Sequence, residues 1–108
     1  MTLSNIEWSQ TEETVAQSAF NKAYEREINF LIGEVRAKAG NVIKLEDIWN
    51  LHDYLSAKRH DIDGKYDYSY SALIFVFAQL VKEGWLSLNE LEGLDKEKLS
   101  KVAALTHM

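Results

Sequence analysis

His52-Asp53 and His60-Asp61 are the two places where residue types and spacing could do chemistry. Paired His-Asp dipeptides invite a metal phosphohydrolase, in which imidazole and carboxylate share a cation. That chemistry needs a further upstream His and a distal Asp converging on the same metal. The remaining histidine is His107, beside the chain end, and there is no Cys. Metal hydrolysis is therefore set aside: no catalytic residue, metal ligand or cofactor is assigned. Asp61-Ile62-Asp63-Gly64 hints at a calcium loop. It fails because the Gly comes too early and Ala72 stands where the bidentate Glu would be needed.

The same stretch reads better as a recognition surface. Lys44 to Asp63 is expected to be one helix, ended by Gly64. Ile48, Leu51, Leu55 and Ile62 then share an arc of about 60°, a narrow stripe for packing. Trp49, His52, Asp53, Ser56, Arg59, His60 and Asp63 fall on a neighbouring arc about 120° wide. Tryptophan and arginine are enriched in binding hot spots. The plainer alternative is a solvated face with incidental ion pairs, such as Asp53 near His60.

The elements that must position this face are helical. Met1 to Trp8 reads as a loose arm that Ile6 and Trp8 pin to the body. Ser9-Gln10-Thr11-Glu12 is a capping box, which predicts a helix start. Nothing stops that helix before Gly40-Asn41, where a left-handed cap is expected. A helix of about 30 residues is about 45 Å long, whereas a compact domain of this size has a radius of gyration near ~13 Å. The rod overhangs any single core, so a second chain or a bend is required.

Its pattern favours a second chain. Phe20, Tyr24, Ile28, Leu31 and Val35 form one stripe of large apolar groups. Val15, Ala16, Ala19, Ala23, Phe30 and Ala37 lie on a different arc, mostly of small residues. Two stripes suit a helix that packs on its own subunit and on a partner. Gly33 within it costs about 1 kcal/mol relative to Ala. A short connection pairs the first two helices as an antiparallel hairpin.

A third helix is expected from Ser69 to Glu83, ended by Gly84, with Tyr70, Leu73, Ile74, Phe77, Leu80 and Val81 inward. Phe75 points away from that arc, as a group facing another protein would. Ser87 to Glu90 is a second capping box, and Asp95 caps a last helix to Leu105 with Lys101 off its inner face. The expected fold is one all-α domain over residues 1–108: an arm (1–8), a long hairpin forming a dimer region (9–63), and a C-terminal head of shorter helices (64–108).

Composition agrees. A net charge of −5 with no basic run argues against nucleic acid. The absence of Cys suits a reducing compartment, and the absence of Pro permits long helices. No signal-peptide pattern is expected, and the longest apolar run, Ala72 to Ala78, is too short to cross a bilayer.

Several motifs together resemble one family. They are Trp8-Ser9-Gln10, Lys22-Ala23-Tyr24, Trp49-x-Leu51-His52-Asp53, Leu55-Ser56-Ala57-Lys58-Arg59-His60-x-Ile62-Asp63-Gly64-Lys65-Tyr66-Asp67, and Ile74-Phe75-Val76-Phe77-Ala78-Gln79-Leu80. From about Trp8 to Leu105 the chain resembles the fluorescence recovery proteins of cyanobacteria. The resemblance implies an all-helical homodimer without enzyme activity or cofactor. It implies binding to the light-activated red form of the orange carotenoid protein, mainly through that partner's C-terminal domain. Return to the orange form is then accelerated, and the partner leaves the phycobilisome. The implied location is cytoplasmic, peripheral to the thylakoid membrane, with no integral segment. By the same resemblance Trp49, His52, Asp53 and Arg59 form the functional cluster for partner and dimer contacts, with Phe75 and Lys101 joining it. Tyr68-Ser69-Tyr70 departs from the family pattern, where a more charged stretch is expected. It leaves room for a related adaptor with another partner.

Overall fold

The computed structural model describes residues 7–108, so the expectation for Ile6 lies outside the described residues. The described residues fold as α1 (Gln10–Gly40), α2 (Leu45–Lys65), α3 (Leu73–Glu83), a 3-10 turn (Leu88–Leu91) and α4 (Lys96–Thr106). They contain no β-strand. The molecule is elongated, 54 × 24 × 23 Å. Among the described residues no helix is long and apolar enough to cross a membrane.

The first helix starts where the capping box places it. Ser9 Oγ accepts the Glu12 amide at 3.1 Å, and the Glu12 carboxylate accepts the Ser9 amide at 3.0 Å. It then runs 31 residues. Its small residues Ala16, Ala19 and Ala23 bury against Leu73, Ile74, Phe77 and Leu80 of α3, with Leu91, Leu94 and Val102 completing the core. Small side chains let the backbones approach closely. Gly93, at φ +114°, sits so near that a Cβ there would lie 2.6 Å from Val15 Cγ2.

Four local expectations are corrected. Gly40 and Asn41 make no left-handed cap: Asn41 sits at φ −98° and its amide returns to the Lys38 and Ala39 carbonyls. Gly64 does not end α2, which continues to Lys65 and is capped by Tyr66 at φ −88°. The ion pairs that hold Lys65 outweigh the low helix propensity of the glycine before it. The third helix begins at Leu73 rather than Ser69, because the Ser69 carbonyl accepts both the Ala72 and Leu73 amides in a tight turn. Tyr70 therefore escapes the periodicity of α3 and is exposed, stacking on Trp8 at 5.6 Å. Gly84, at φ +87°, does end α3 in the left-handed manner expected.

Charged side chains pin the packed end. Lys98 is buried and donates to both Glu12 oxygens at 3.0 and 3.1 Å and to the Glu7 carbonyl at 2.7 Å. Burial pushes the Glu12 carboxyl up, but the Ser9 and Asp95 amides and the Lys98 ammonium more than offset it, bringing it to about 2. Arg26 forks onto both Glu90 oxygens at 2.8 and 2.7 Å and reaches the Trp85 carbonyl at 3.0 Å. That fork, with the Ser87 amide, lowers Glu90 to about 2 despite some desolvation.

Beyond this head the hairpin is thinly covered. Past Ala23, Glu27 is the one fully buried residue of α1, and Ile62 the one in α2. The helices run antiparallel, with Lys65 at Glu27 near the head and Lys38 4.5 Å over the Tyr54 ring near the tip. Ile28, Leu31 and Val35 are half-buried; Phe30, Ile32, Leu45 and Ile48 are exposed, and Ile43 is 92 % exposed.

Candidate functional site

The second helix is launched by Asp47, whose carboxylate accepts the Ile43 and Lys44 amides at 3.0 and 3.1 Å. Those bonds, first from Lys44 and then from Ile43, hold the carboxyl below its ordinary range. At the other end Lys65 ties the helix down. It donates to Glu27 at 2.8 Å and to Glu83 at 2.7 Å. Tyr66 donates to the other Glu27 oxygen at 2.8 Å. Burial and then the Glu27 hydrogen bond push the Tyr66 hydroxyl well up.

Between these anchors the sequence-predicted face looks outward. Trp49 is 57 % exposed. The His52 Nδ1 lies 3.4 Å from Asp53 Oδ1, and the Trp49 and His52 rings meet edge-on at 6.5 Å. Asp53 is thus beside His52 rather than His60. Arg59 Nε lies 3.6 Å from Asp63, an open pair on the surface that contributes little to stability. Trp49, His52 and Asp53 form one cluster. Arg59 follows about 9 Å further along the same helix. The apolar stripe beneath is covered only at Ile62; Leu51 and Leu55 are half-buried and Ile48 is exposed.

Phe75 and Lys101 lie together on the head. Phe75 is 51 % exposed. With Ile74, Ala104 and Leu105 the two line a hollow of 290 Å³. On its other side Phe75 lines a second hollow, of 430 Å³, with His60, Asp61, Gly64, Lys65, Val76, Gln79 and Glu83. Sequence reasoning missed that His60 and Asp61 share a hollow with Phe75. It also missed the Glu27–Lys65–Glu83 cluster, whose members are 38 and 18 residues apart. No short-range spacing signals such a contact.

The arrangement does not converge on a metal. The two His-Asp dipeptides are separated by about 12 Å along one helix. Among the described residues no group of three or more His, Cys, Asp or Glu is placed to hold a metal ion. What remains is an exposed aromatic and ionic surface on a rigid helix, with a second aromatic on the head.

Comparison with known proteins places the chain in a family. Residues 8–106 match the family model described as photoprotection regulator fluorescence recovery protein. The fluorescence recovery protein of Synechocystis sp. is 50 % identical over 101 residues, spanning 94 % of this chain and 93 % of that relative. The solved structure of the Fremyella diplosiphon fluorescence recovery protein has TM-score 0.93 and 63 % identity, covering 94 % of this chain and 100 % of that one. The Synechocystis structure has TM-score 0.92 and 50 % identity over the same shares. A match that takes in every helix described above, and both the α2 face and Phe75, leaves one conclusion: this chain belongs to the fluorescence recovery protein family of photoprotection regulators.

Proposed function

We propose that this chain binds the light-activated red form of the orange carotenoid protein, chiefly at its C-terminal domain. It speeds that partner's return to the orange form and promotes its release from the phycobilisome. Fluorescence lost to non-photochemical quenching is thereby restored. The chain does this as a homodimer without chemistry of its own, working on the cytoplasmic side of the thylakoid membrane. Near-complete family coverage, with Trp49, His52, Asp53 and Arg59 all on exposed helix, supports the reading.

A protein with no bond-making role accelerates a reversion only by binding the transition state, or a closed-like intermediate, better than the starting state. A tenfold acceleration takes about 1.4 kcal/mol of such difference. Trp49 and Phe75 supply apolar anchors; Asp53 and Arg59 supply oriented charge. Arg59→Ala and Asp53→Ala are expected to slow recovery of the orange absorbance at least about fivefold, the scale of a loss of ~1 kcal/mol, with helicity retained by circular dichroism. Unchanged kinetics in both variants remove this site.

The homodimer rests on the thinly covered hairpin, where Phe30, Ile32, Leu45 and Ile48 are exposed and Ile28, Leu31, Val35, Leu51 and Leu55 only half-buried within the chain. Sedimentation at micromolar concentration is expected to give twice the chain mass. A monomer under those conditions counts against it. A second reading, an adaptor for another partner, is favoured by Tyr68 and Tyr70, which line a groove with the polar face of α1. Failure to co-elute with the activated carotenoid protein selects it.

A further inference from the structure

The hollow beside Phe75 is built from two helices. The last turns of α2 give His60, Asp61 and Lys65; α3 gives Phe75, Val76, Gln79 and Glu83. Gly64 contributes no side chain, and a Cβ built on it would meet nothing within 4 Å, so that edge stays open. At 430 Å³ the space admits a long side chain.

Charge decides which one. Lys65 is the one ammonium at the floor, already shared by Glu27 at 2.7 Å, Glu83 at 2.7 Å and Asp61 at 3.7 Å. Three carboxylates against one ammonium leave negative charge in excess. Asp61 is the least engaged: its contact with Lys65 exceeds hydrogen-bonding distance, and its side chain is 56 % exposed. Gln79 donates its amide to Glu83, which leaves the Gln79 carbonyl oxygen as a further acceptor. An anion would be repelled here, and a purely apolar group would meet an ionic rim.

We propose that this hollow receives an arginine side chain of the protein partner, its guanidinium laid against Phe75 and its N–H groups donated to Asp61. The proposal rests on the partner reading given above. A guanidinium is flat, weakly hydrated and forked, so it stacks on an aromatic face while binding a carboxylate. An ammonium is compact and strongly hydrated, so it neither stacks flat on the ring nor forks onto the carboxylate. The opposite flank of Phe75 carries Lys101. The Lys101 ammonium is paired with Glu97 at 3.3 Å, so that flank is apolar, lined with the Lys101 stem, Ile74, Ala104 and Leu105. One aromatic ring thus stands between an apolar flank and an acidic one, which orients a partner that docks there.

Two measurements test this on the full chain. N-acetyl-arginine amide, titrated at millimolar concentration, is expected to shift the Asp61, Gly64 and Phe75 resonances saturably. N-acetyl-citrulline amide, the uncharged isostere, is expected not to, and Asp61→Asn is expected to abolish the arginine response. The same variant is expected to bind activated carotenoid protein at least about fivefold more weakly, with a shallower dependence on salt. Equal shifts from citrulline, or affinity within twofold of the unmodified chain, overturn the arginine site and leave the partner reading standing. Absence of carotenoid-protein binding by the unmodified chain overturns the partner reading, and the arginine's source with it.

Discussion

Replacing Glu12 by alanine lowers the unfolding free energy by about 3–5 kcal/mol, because it strands a buried ammonium. Lys98 is 2 % exposed, and without Glu12 it keeps only the Glu7 carbonyl at 2.7 Å and the more distant Asp95 carboxylate at 3.4 Å. Glu12 also accepts the amides of Ser9 and Asp95, so one carboxylate starts α1, starts the loop into α4 and neutralises the lysine between them. Domains of this size are stable by about 5–15 kcal/mol in all, so the loss is a large share. It is read by urea or thermal unfolding at one fixed chain concentration, since self-association moves the midpoint. A fall of about 10 °C or more is expected, and a fall of about 3 °C or less would sink the account.

The pH dependence carries the same signature. The Glu12 carboxyl goes from 4.5, its ordinary value, to about 2 in the folded chain. A depressed carboxyl contributes stability above its unfolded value, and that contribution is lost as pH falls through the folded one. The unmodified chain therefore loses stability between about 4.5 and about 2. In Glu12→Ala the decline over that window is shallower, with the other depressed carboxyls, Glu90, Asp47 and Glu83, supplying what remains.

Lys65→Met produces the second large effect. It keeps the aliphatic stem but leaves Glu27 buried beside Glu83 with the Tyr66 hydroxyl as its remaining donor. Loss of a partner from a buried pair costs about 3 kcal/mol or more. Adding Glu27→Gln removes the stranded charge and is expected to recover part of that loss. The pair also joins α2 to the rest of the chain, so amide exchange over residues 58–66 is expected to quicken in Lys65→Met while the core of α3 stays protected. Uniform loss of protection across the chain would refute a local fastening role.

These two ion clusters mark the limit of what the sequence reveals. The helices were legible because capping residues lie three positions apart and apolar residues repeat on one face. Ser9 and Glu12 meet as their spacing requires. The outward aspect of Trp49, His52, Asp53, Arg59 and Phe75 also followed from helical geometry alone. Glu12 looked like a capping residue and nothing more, because its partner Lys98 is 86 residues away. Gly40 and Gly64 looked like terminators because glycine is permissive, yet neither takes a left-handed angle. Tertiary contacts at Lys65 decided the end of α2. The stripe Ile48, Leu51, Leu55 and Ile62 was read as a packing stripe, and the chain covers it unevenly: Ile62 is buried, Leu51 and Leu55 half-buried and Ile48 exposed.

The unbroken run of α1 has a metrical consequence. Its first half is sealed into the head, its second half is only partly covered, and no hinge divides them. The helix is therefore a gauge graduated in residues. One residue inserted between Ala23 and Phe30 would carry the second half about 1.5 Å outward and turn it by about 100°, taking Phe30 off Trp85, which it meets at 5.7 Å. Seven inserted residues would lengthen the rod by about 10 Å yet restore its azimuth to within ~20°. Evolution can change the span of such a molecule by heptads, while single insertions or deletions scramble its aim.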